Sequence, residues 1–180
     1  MVRFKSVLVA VFALVLAGGS FGASTLAQDA QSLEYLDLSW GDLLPEGEAQ
    51  RIMELQQLQA LQTGINHFGM EQMPQIQTFN VVEALDGERV RLGGYVLPLD
   101  FNGPQEVTRF LLVPYVGACI HVPPPPPNQL VFVTTEVPVA VTRLWDPVFA
   151  EGVMRTRRQD NDLGDTAYTL ELIQLRPYQP

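Results

Sequence analysis

The chain has 180 residues, of which 47% are hydrophobic, and its 11 basic and 20 acidic residues give a net charge of −9 at pH 7. This acidic balance, without a basic cluster, disfavours nucleic acid and anionic lipid surfaces as partners, because both would repel it. The single cysteine excludes an internal disulfide, so the domain depends on its hydrophobic core.

The N-terminus has the pattern of a secretory signal peptide. Arg3 and Lys5 precede the apolar run "VLVAVFALVLAGG", and small residues follow it. The run is shorter than the roughly 20 apolar residues of a membrane span. We expect cleavage near Ala23 or Ala27 and a periplasmic protein, with an uncleaved anchor as the alternative. Cleavage after Ala27 leaves 153 residues and a net charge of −11.

An amphipathic helix is predicted from Glu46 to Gln62. Strong helix formers fill this stretch, and Gly64 follows as a stop signal. Its large apolar residues recur every three positions and are expected to pack as one stripe against the body. They are Ile52, Leu55, Leu58 and Leu61. The next segment, to Gln77, reads as a loop.

Strand patterns dominate the rest of the chain. "FNVVEALDGERVRLGGYVLPL" predicts two strands joined at Asp86-Gly87, with a bulge or bend at Gly93-Gly94. "VTRFLLVPYVGACIHV" predicts one long strand that leads into the prolines. "QLVFVTTEVPVAVTRLW" predicts two short strands around Pro138, and "AYTLELIQLRPY" predicts a last strand. The stretch from Asp146 to Thr166 reads as a polar connection.

These elements define a mainly β fold. No helix alternates with the strands, so a parallel α/β sheet is excluded. Short strands with internal glycines favour a small, antiparallel, open barrel like the oligonucleotide/oligosaccharide-binding (OB) fold, preceded by one amphipathic helix. The predicted organisation is a signal peptide at 1–27, an N-terminal helix and linker at 28–74, and a barrel domain at 75–180.

The stretch "GACIHVPPPPPNQ" carries the candidate site. In an extended strand Cys119 and His121 project to the same side, where thiolate and imidazole suit zinc or copper. Further ligands would come from His67, Met70 and Met73. The rest of the motif would hold the corner stiff, because a polyproline run is extended and cannot donate ladder hydrogen bonds. These residues are Gly117, Pro123, Pro124, Pro125, Pro126, Pro127, Asn128 and Gln129.

Two other interpretations of this motif remain open. His121 could stabilise a Cys119 thiolate in a thiol-dependent enzyme, although no neighbouring acidic residue is present to orient the imidazole. Alternatively, the motif is a structural corner in a non-enzymatic protein-interaction module, with Cys119 buried and the prolines packed on aromatic side chains or displayed to a partner.

"RVRLGGYVLPLDF" followed by "FLLVPYVGACIHVPPPPPNQLVFV" resembles a family of exported bacterial proteins, domain of unknown function 3299. The resemblance covers about residues 75 to 178, and the motif from Gly117 to Gln129 matches throughout. It implies a secreted small barrel whose relatives often accompany membrane transport systems, some of them handling metals. We therefore expect an exported, non-enzymatic accessory protein that binds zinc or copper and serves a membrane transporter.

Overall fold

We describe a computed structural model of the chain over residues 34–62, 74–101, 103–118, 124–141 and 146–178. Within these residues there are one α-helix and six strands. The helix α1 is Glu48–Gln62, and the strands are β1 Leu36–Leu38, β2 Arg89–Pro98, β3 Glu106–Val113, β4 Val131–Ala140, β5 Pro147–Arg155 and β6 Tyr168–Pro177. Short 3-10 helices cover Trp40–Leu43, Glu83–Leu85 and Pro127–Gln129.

Five of the strands form a closed barrel. The order is β2-β3-β4-β6-β5, and β2 closes the barrel because it pairs with both β3 and β5. The β4–β6 pair is parallel and the other four pairs of the barrel are antiparallel. The predicted OB-like barrel preceded by one helix is confirmed, with closure and one parallel pair as refinements. The short β1 adds a parallel strand beside β2.

The barrel interior is the main hydrophobic core. On β2 the residues Val90, Leu92 and Val96 point inward, separated by even numbers of residues as a strand requires. Tyr168 at the start of β6 is fully buried, and its hydroxyl donates to Leu43 O at 2.8 Å and accepts from Val82 N at 2.7 Å. Burial raises the pKa of this phenol to about 12, so it stays a donor at every ordinary pH.

A second apolar cluster covers the outside of β2 and β3. Leu97, Leu111 and Val113 alternate with the inward residues and therefore point away from the barrel interior. Ala118 and Leu130 pack on them, and both are completely buried. The connection from β3 to β4, which carries the proline motif, is thus anchored on the outer face of the barrel at these two described residues.

The predicted hairpin around Asp86-Gly87 is wrong. The residues before the turn form the 3-10 helix Glu83–Leu85, and only the second half of the stretch becomes a strand. Gly87, with φ of +86°, donates its N–H to Met154 O at 2.8 Å, so the turn is hydrogen-bonded to β5.

At the pair Gly93-Gly94, β2 continues to pair with β5 without a shift in register. At Gly94 a Cβ would lie 2.8 Å from Val113 O, so the glycine permits close strand approach.

The long strand predicted to lead into the prolines is much shorter. It ends at Val113, because Pro114 cannot donate to a ladder, and turn residues follow up to Ala118. The predicted strand end at His121 or Val122 is therefore not where β3 ends, and the placement of Cys119 and His121 lies outside the described residues. The motif begins in the turn, where Gly117 adopts a φ of +84°.

Two further strand predictions differ from the structure. The two short strands expected around Pro138 are one strand, β4, in which Thr134 pairs with Arg109 and Val139 with Val107 across a register shift. This irregularity accommodates the proline. The supposed polar connection after Asp146 contains β5, which was missed because Glu151 and Gly152 interrupt its apolar pattern.

Helix α1 is confirmed, but half of its predicted stripe is wrong. Ile52 is buried and Leu55 half-buried, whereas Leu58 and Leu61 are 53% and 80% exposed. Three residues turn a helix by about 300°, so a spacing of three drifts 60° backwards at each step. After three steps Leu61 lies on the opposite side of the helix from Ile52.

Candidate functional site

The six residues that carry the predicted chemistry lie outside the described residues. These are the metal-ligand candidates and the first proline of the tract: His67, Met70, Met73, Cys119, His121 and Pro123. The described part of the motif is its frame, namely Gly117, Pro124, Pro125, Pro126, Pro127, Asn128 and Gln129. We call the segment from Pro124 to Gln129 the proline corner.

The upstream side of the motif is anchored at Ala118. This residue is completely buried in the outer apolar cluster, and its N–H donates to Tyr115 O at 3.4 Å. The preceding Gly117 has a φ of +84°, a backbone conformation that side chains other than glycine rarely adopt. Gly117 and Ala118 therefore fix the backbone immediately before Cys119.

The downstream side is anchored by the carbonyl groups of three prolines. Prolines cannot donate, so a buried proline run depends on donors from elsewhere. Pro125 O accepts from the side chain of Gln75 at 2.6 Å, and Pro127 O accepts from Ala167 N at 2.8 Å. Pro126 O accepts from Gln129 N at 2.7 Å. Pro125, Pro126 and Pro127 are buried, so they are part of the packed body.

Asn128 joins the proline corner to a buried carboxylate. Glu48, the first residue of α1, is 4% exposed and accepts hydrogen bonds from Thr78 Oγ1, Asn80 Nδ2 (2.9 Å) and Asn128 Nδ2 (3.4 Å). Burial acts to raise the pKa of Glu48, but these bonds and the charge of Arg51 together hold the pKa below its usual 4.5. The carboxylate is therefore ionised at neutral pH.

The Asn128 side chain is completely buried. Its Nδ2 also donates to Asn80 O at 3.0 Å, while its Oδ1 has no hydrogen-bond partner among the described residues. Gln129 turns the other way and donates from Nε2 to Trp40 O at 2.8 Å. The corner is thus tied to the segments on both sides of α1.

Gln75 connects the proline corner with the segment that follows Met73. Its Nε2 donates to Pro125 O at 2.6 Å and to Asp165 O at 3.0 Å, and its Oε1 accepts from Asp165 N at 2.9 Å. The described residues that flank the two candidate ligand segments are therefore in direct contact. Pro74 is in turn bonded to α1, because Gln59 Nε2 donates to Pro74 O at 2.7 Å.

Four residues of this arrangement were not predicted from the sequence: Glu48, Gln75, Thr78 and Asn80. Glu48 gave a misleading signal, because an acidic residue in the first turn of a helix is expected on the surface, where it offsets the helix dipole. Gln75 gave no signal, because a polar residue beside a proline reads as part of a loop. Only tertiary structure brings these side chains to the proline corner.

Two findings concern the described residues alone. Their His, Cys, Asp and Glu side chains do not form a group of three or more that could hold a metal ion. None of their helices combines the length and the apolar character that crossing a bilayer requires.

The fold and the corner define the class of protein. It is a small closed barrel of OB type, in which the described parts of the connection between the second and third barrel strands are anchored on the outer face at Ala118 and Leu130 and held by side chains from outside the barrel, such as Gln75.

The chain belongs to the DUF3299 family of proteins of unknown function, whose model matches residues 40–177. A solved structure supports this assignment: the crystal structure of a DUF3299 family protein from Pseudomonas aeruginosa PAO1, at 2.45 Å resolution, is similar with a TM-score of 0.61. The two sequences are 33% identical, and the similarity covers 82% of this chain and 98% of that one. None of the curated proteins matches this sequence.

Proposed function

We propose that this protein is an exported, periplasmic accessory protein that binds a transition metal ion, zinc or copper, and passes it to a membrane transport system. In this proposal Cys119 and His121 are ligands, and His67, Met70 or Met73 completes the set. Thiolate, imidazole and thioether groups together suit these ions. The protein carries the ion and does not catalyse a reaction.

The contact between Gln75 and Pro125 carries this proposal. Gln75 follows Met73 by two residues, and Pro125 follows His121 by four residues. Two and four residues of extended chain span at most about 7 and 14 Å, so both ligand-bearing segments can reach a common point near this contact. A site built from both segments therefore needs no rearrangement of the barrel.

The stiffness of the frame supports binding as well. Ala118 and the buried prolines hold the chain on both sides of Cys119 and His121. Ligands that are held in place before the ion arrives lose less conformational entropy on binding. A net charge of −11 in the processed chain favours cations and disfavours nucleic acid.

The test is the metal content of residues 28–180, purified without a metal-binding tag and measured by mass spectrometry of the elements. We expect one zinc or copper ion per chain, lost in Cys119→Ser and in His121→Ala. Because both ligands must be deprotonated, affinity should fall as pH falls towards about 6.5, the ordinary histidine pKa.

Methionine variants identify the remaining ligands. Met70→Ala and Met73→Ala are compared with Met53→Ala, a matched control on α1 whose side chain is 49% exposed. His67→Ala tests the second histidine. If the native protein takes up neither ion after titration, the metal proposal is wrong.

The burial of the prolines favours a second candidate, a non-enzymatic interaction module with a structural corner. Pro125, Pro126 and Pro127 are packed and bonded, as a structural element requires. In that case Cys119→Ser leaves metal content unchanged and lowers only the stability. The native protein should then capture its partner from membrane extracts. Pro125→Ala, which destabilises the proline corner, should weaken that capture.

A further inference from the structure

Helix α1 contacts the rest of the protein mainly through its first two turns. Glu48 and Ile52 are its buried residues, and Leu55 and Gln59 are half-buried. The other described side chains of the helix are exposed. The docking of α1 therefore depends on few groups, of which the Glu48 carboxylate is the most buried.

The surroundings of this carboxylate favour its ionised form. Thr78, Asn80 and Asn128 all donate to it, and an ionised carboxylate is purely an acceptor. A proton on Glu48 would have to displace at least one of these donors, and a buried donor that loses its acceptor is costly. The charged carboxylate at the first helical position is also stabilised by the helix dipole.

The charges around Glu48 are few. The segment 74–82 and the proline corner present Thr78, Asn80 and Asn128 to it, none of which titrates. Among the described residues, the charged group that acts on it is Arg51, on α1 itself. The pKa of Glu48 lies below 4.5, so its stabilisation is complete above that pH and is lost as pH falls through the lower value in the folded state.

We propose that Glu48 is an acid-sensitive latch, whose protonation releases α1 from the proline corner while the barrel stays folded. The barrel has its own hydrophobic core, and its sheet is complete without α1. Segments with little buried apolar contact open locally at a lower free energy than the whole domain. Release would uncover Asn128 and the underside of the corner. This inference does not depend on metal binding.

The test is hydrogen–deuterium exchange of the purified protein between pH 7 and pH 3, corrected for the intrinsic pH dependence of exchange. We expect the α1 amides to lose protection below about pH 4.5, by about tenfold for each unit by which the folded pKa is depressed. The amides of β2 and β3 should keep their protection over the same range.

Two matched variants on the same helix separate the latch from general acid effects. Glu48→Gln keeps the shape but loses the charge, so its α1 should show already at pH 7 the reduced protection of the acidified native protein. Glu54→Gln removes an exposed carboxylate bonded to Gln50 at 3.2 Å, and it should behave like the native protein. The proposal is overturned if native α1 and the barrel lose protection at the same pH, an outcome that needs no variant to fold, or if Glu48→Gln protects α1 fully at pH 7.

Discussion

Single carboxylates with many donors fix the loops of this protein, and Asp100 is the clearest case. It lies just after β2 and accepts from the backbone N–H groups of Thr108 and Arg109, both at 3.1 Å, and from Arg109 Nε at 2.8 Å. Burial acts to raise the pKa of Asp100, but the bonds from Arg109 and Thr108 outweigh it and lower the pKa to about 2. The carboxylate thereby closes the β2–β3 connection.

Asp100→Asn should reduce stability by about 2 kcal/mol at pH 7, because the folded pKa lies below the ordinary value of 3.8. The contribution is present above pH 3.8 and disappears as pH falls through about 2. Urea denaturation of both proteins at pH 7 and at pH 2.5 measures this. The difference should shrink at the lower pH, and an equal difference at both would contradict the electrostatic origin.

At the scale of elements, α1 shows how a spacing misleads. Its apolar residues follow one another at three positions, a pattern that gives half of them to the body and half to solvent. The exposed pair, Leu58 and Leu61, shows that amphipathic patterning is only one part of the stability of this helix. The Glu48 hydrogen bonds provide another part.

Replacing one buried and one exposed aliphatic side chain of α1 by alanine distinguishes the packed side of the helix from its solvent-exposed side. Ile52→Ala should cost about 2 kcal/mol, since it removes a buried side chain. Leu61→Ala should change stability by no more than about 0.5 kcal/mol, because the side chain is 80% exposed. Thermal unfolding followed by circular dichroism compares them, and equal losses would indicate that Leu61 is covered in solution.

For the whole molecule, closure of the barrel depends on close approach between strands. At Gly152 on β5 an added Cβ would lie 2.4 Å from Glu171 O on β6, a contact that backbone atoms cannot avoid by rotation. Glu151 beside it is 1% exposed and is bonded by Arg91 of β2 and Arg176 of β6. The same place thus holds three strands of the barrel together.

Gly152→Ala should therefore destabilise the protein by about 3 kcal/mol, as overpacking of a tight site does. Gly41→Ala is the control, since its nearest neighbour would be Ser39 Oγ at 3.6 Å and its φ is ordinary. Chemical denaturation gives both values. A stability loss at Gly152 no larger than at Gly41 would show that the strands adjust at no cost.

The sequence predicted the class of the fold better than its connections. Strands with strong alternation, such as β6, and a helix rich in helix formers, such as α1, carry their signal locally. The strand β5 does not, because Glu151 is buried through ion pairs with Arg91 and Arg176, which are distant in sequence. The Asp86-Gly87 hairpin failed for a related reason, since the N–H of Gly87 bonds to β5.

The candidate site, like the fold, was predictable from the sequence only in part. The motif from Gly117 to Gln129 stands out in the sequence because its composition is unusual, and family membership confirms that it lies within a shared domain. The roles of its frame could not be predicted. Whether a proline run is displayed or packed depends on donors such as Gln75 and Ala167, and neither residue type suggests that role.

By itself, then, the sequence determined a mainly β barrel with one preceding helix, the family, and the one segment rich in candidate chemistry. The fold class and the segment follow from composition and short-range periodicity, and the family follows from the resemblance of the motif around Cys119, all of which are properties of neighbouring residues. Only the tertiary structure decided that β2 pairs with β5, that the prolines are buried, and that Glu48 lies beneath the corner. Each of these depends on contacts between residues 25 or more positions apart, whose partners no local pattern can specify.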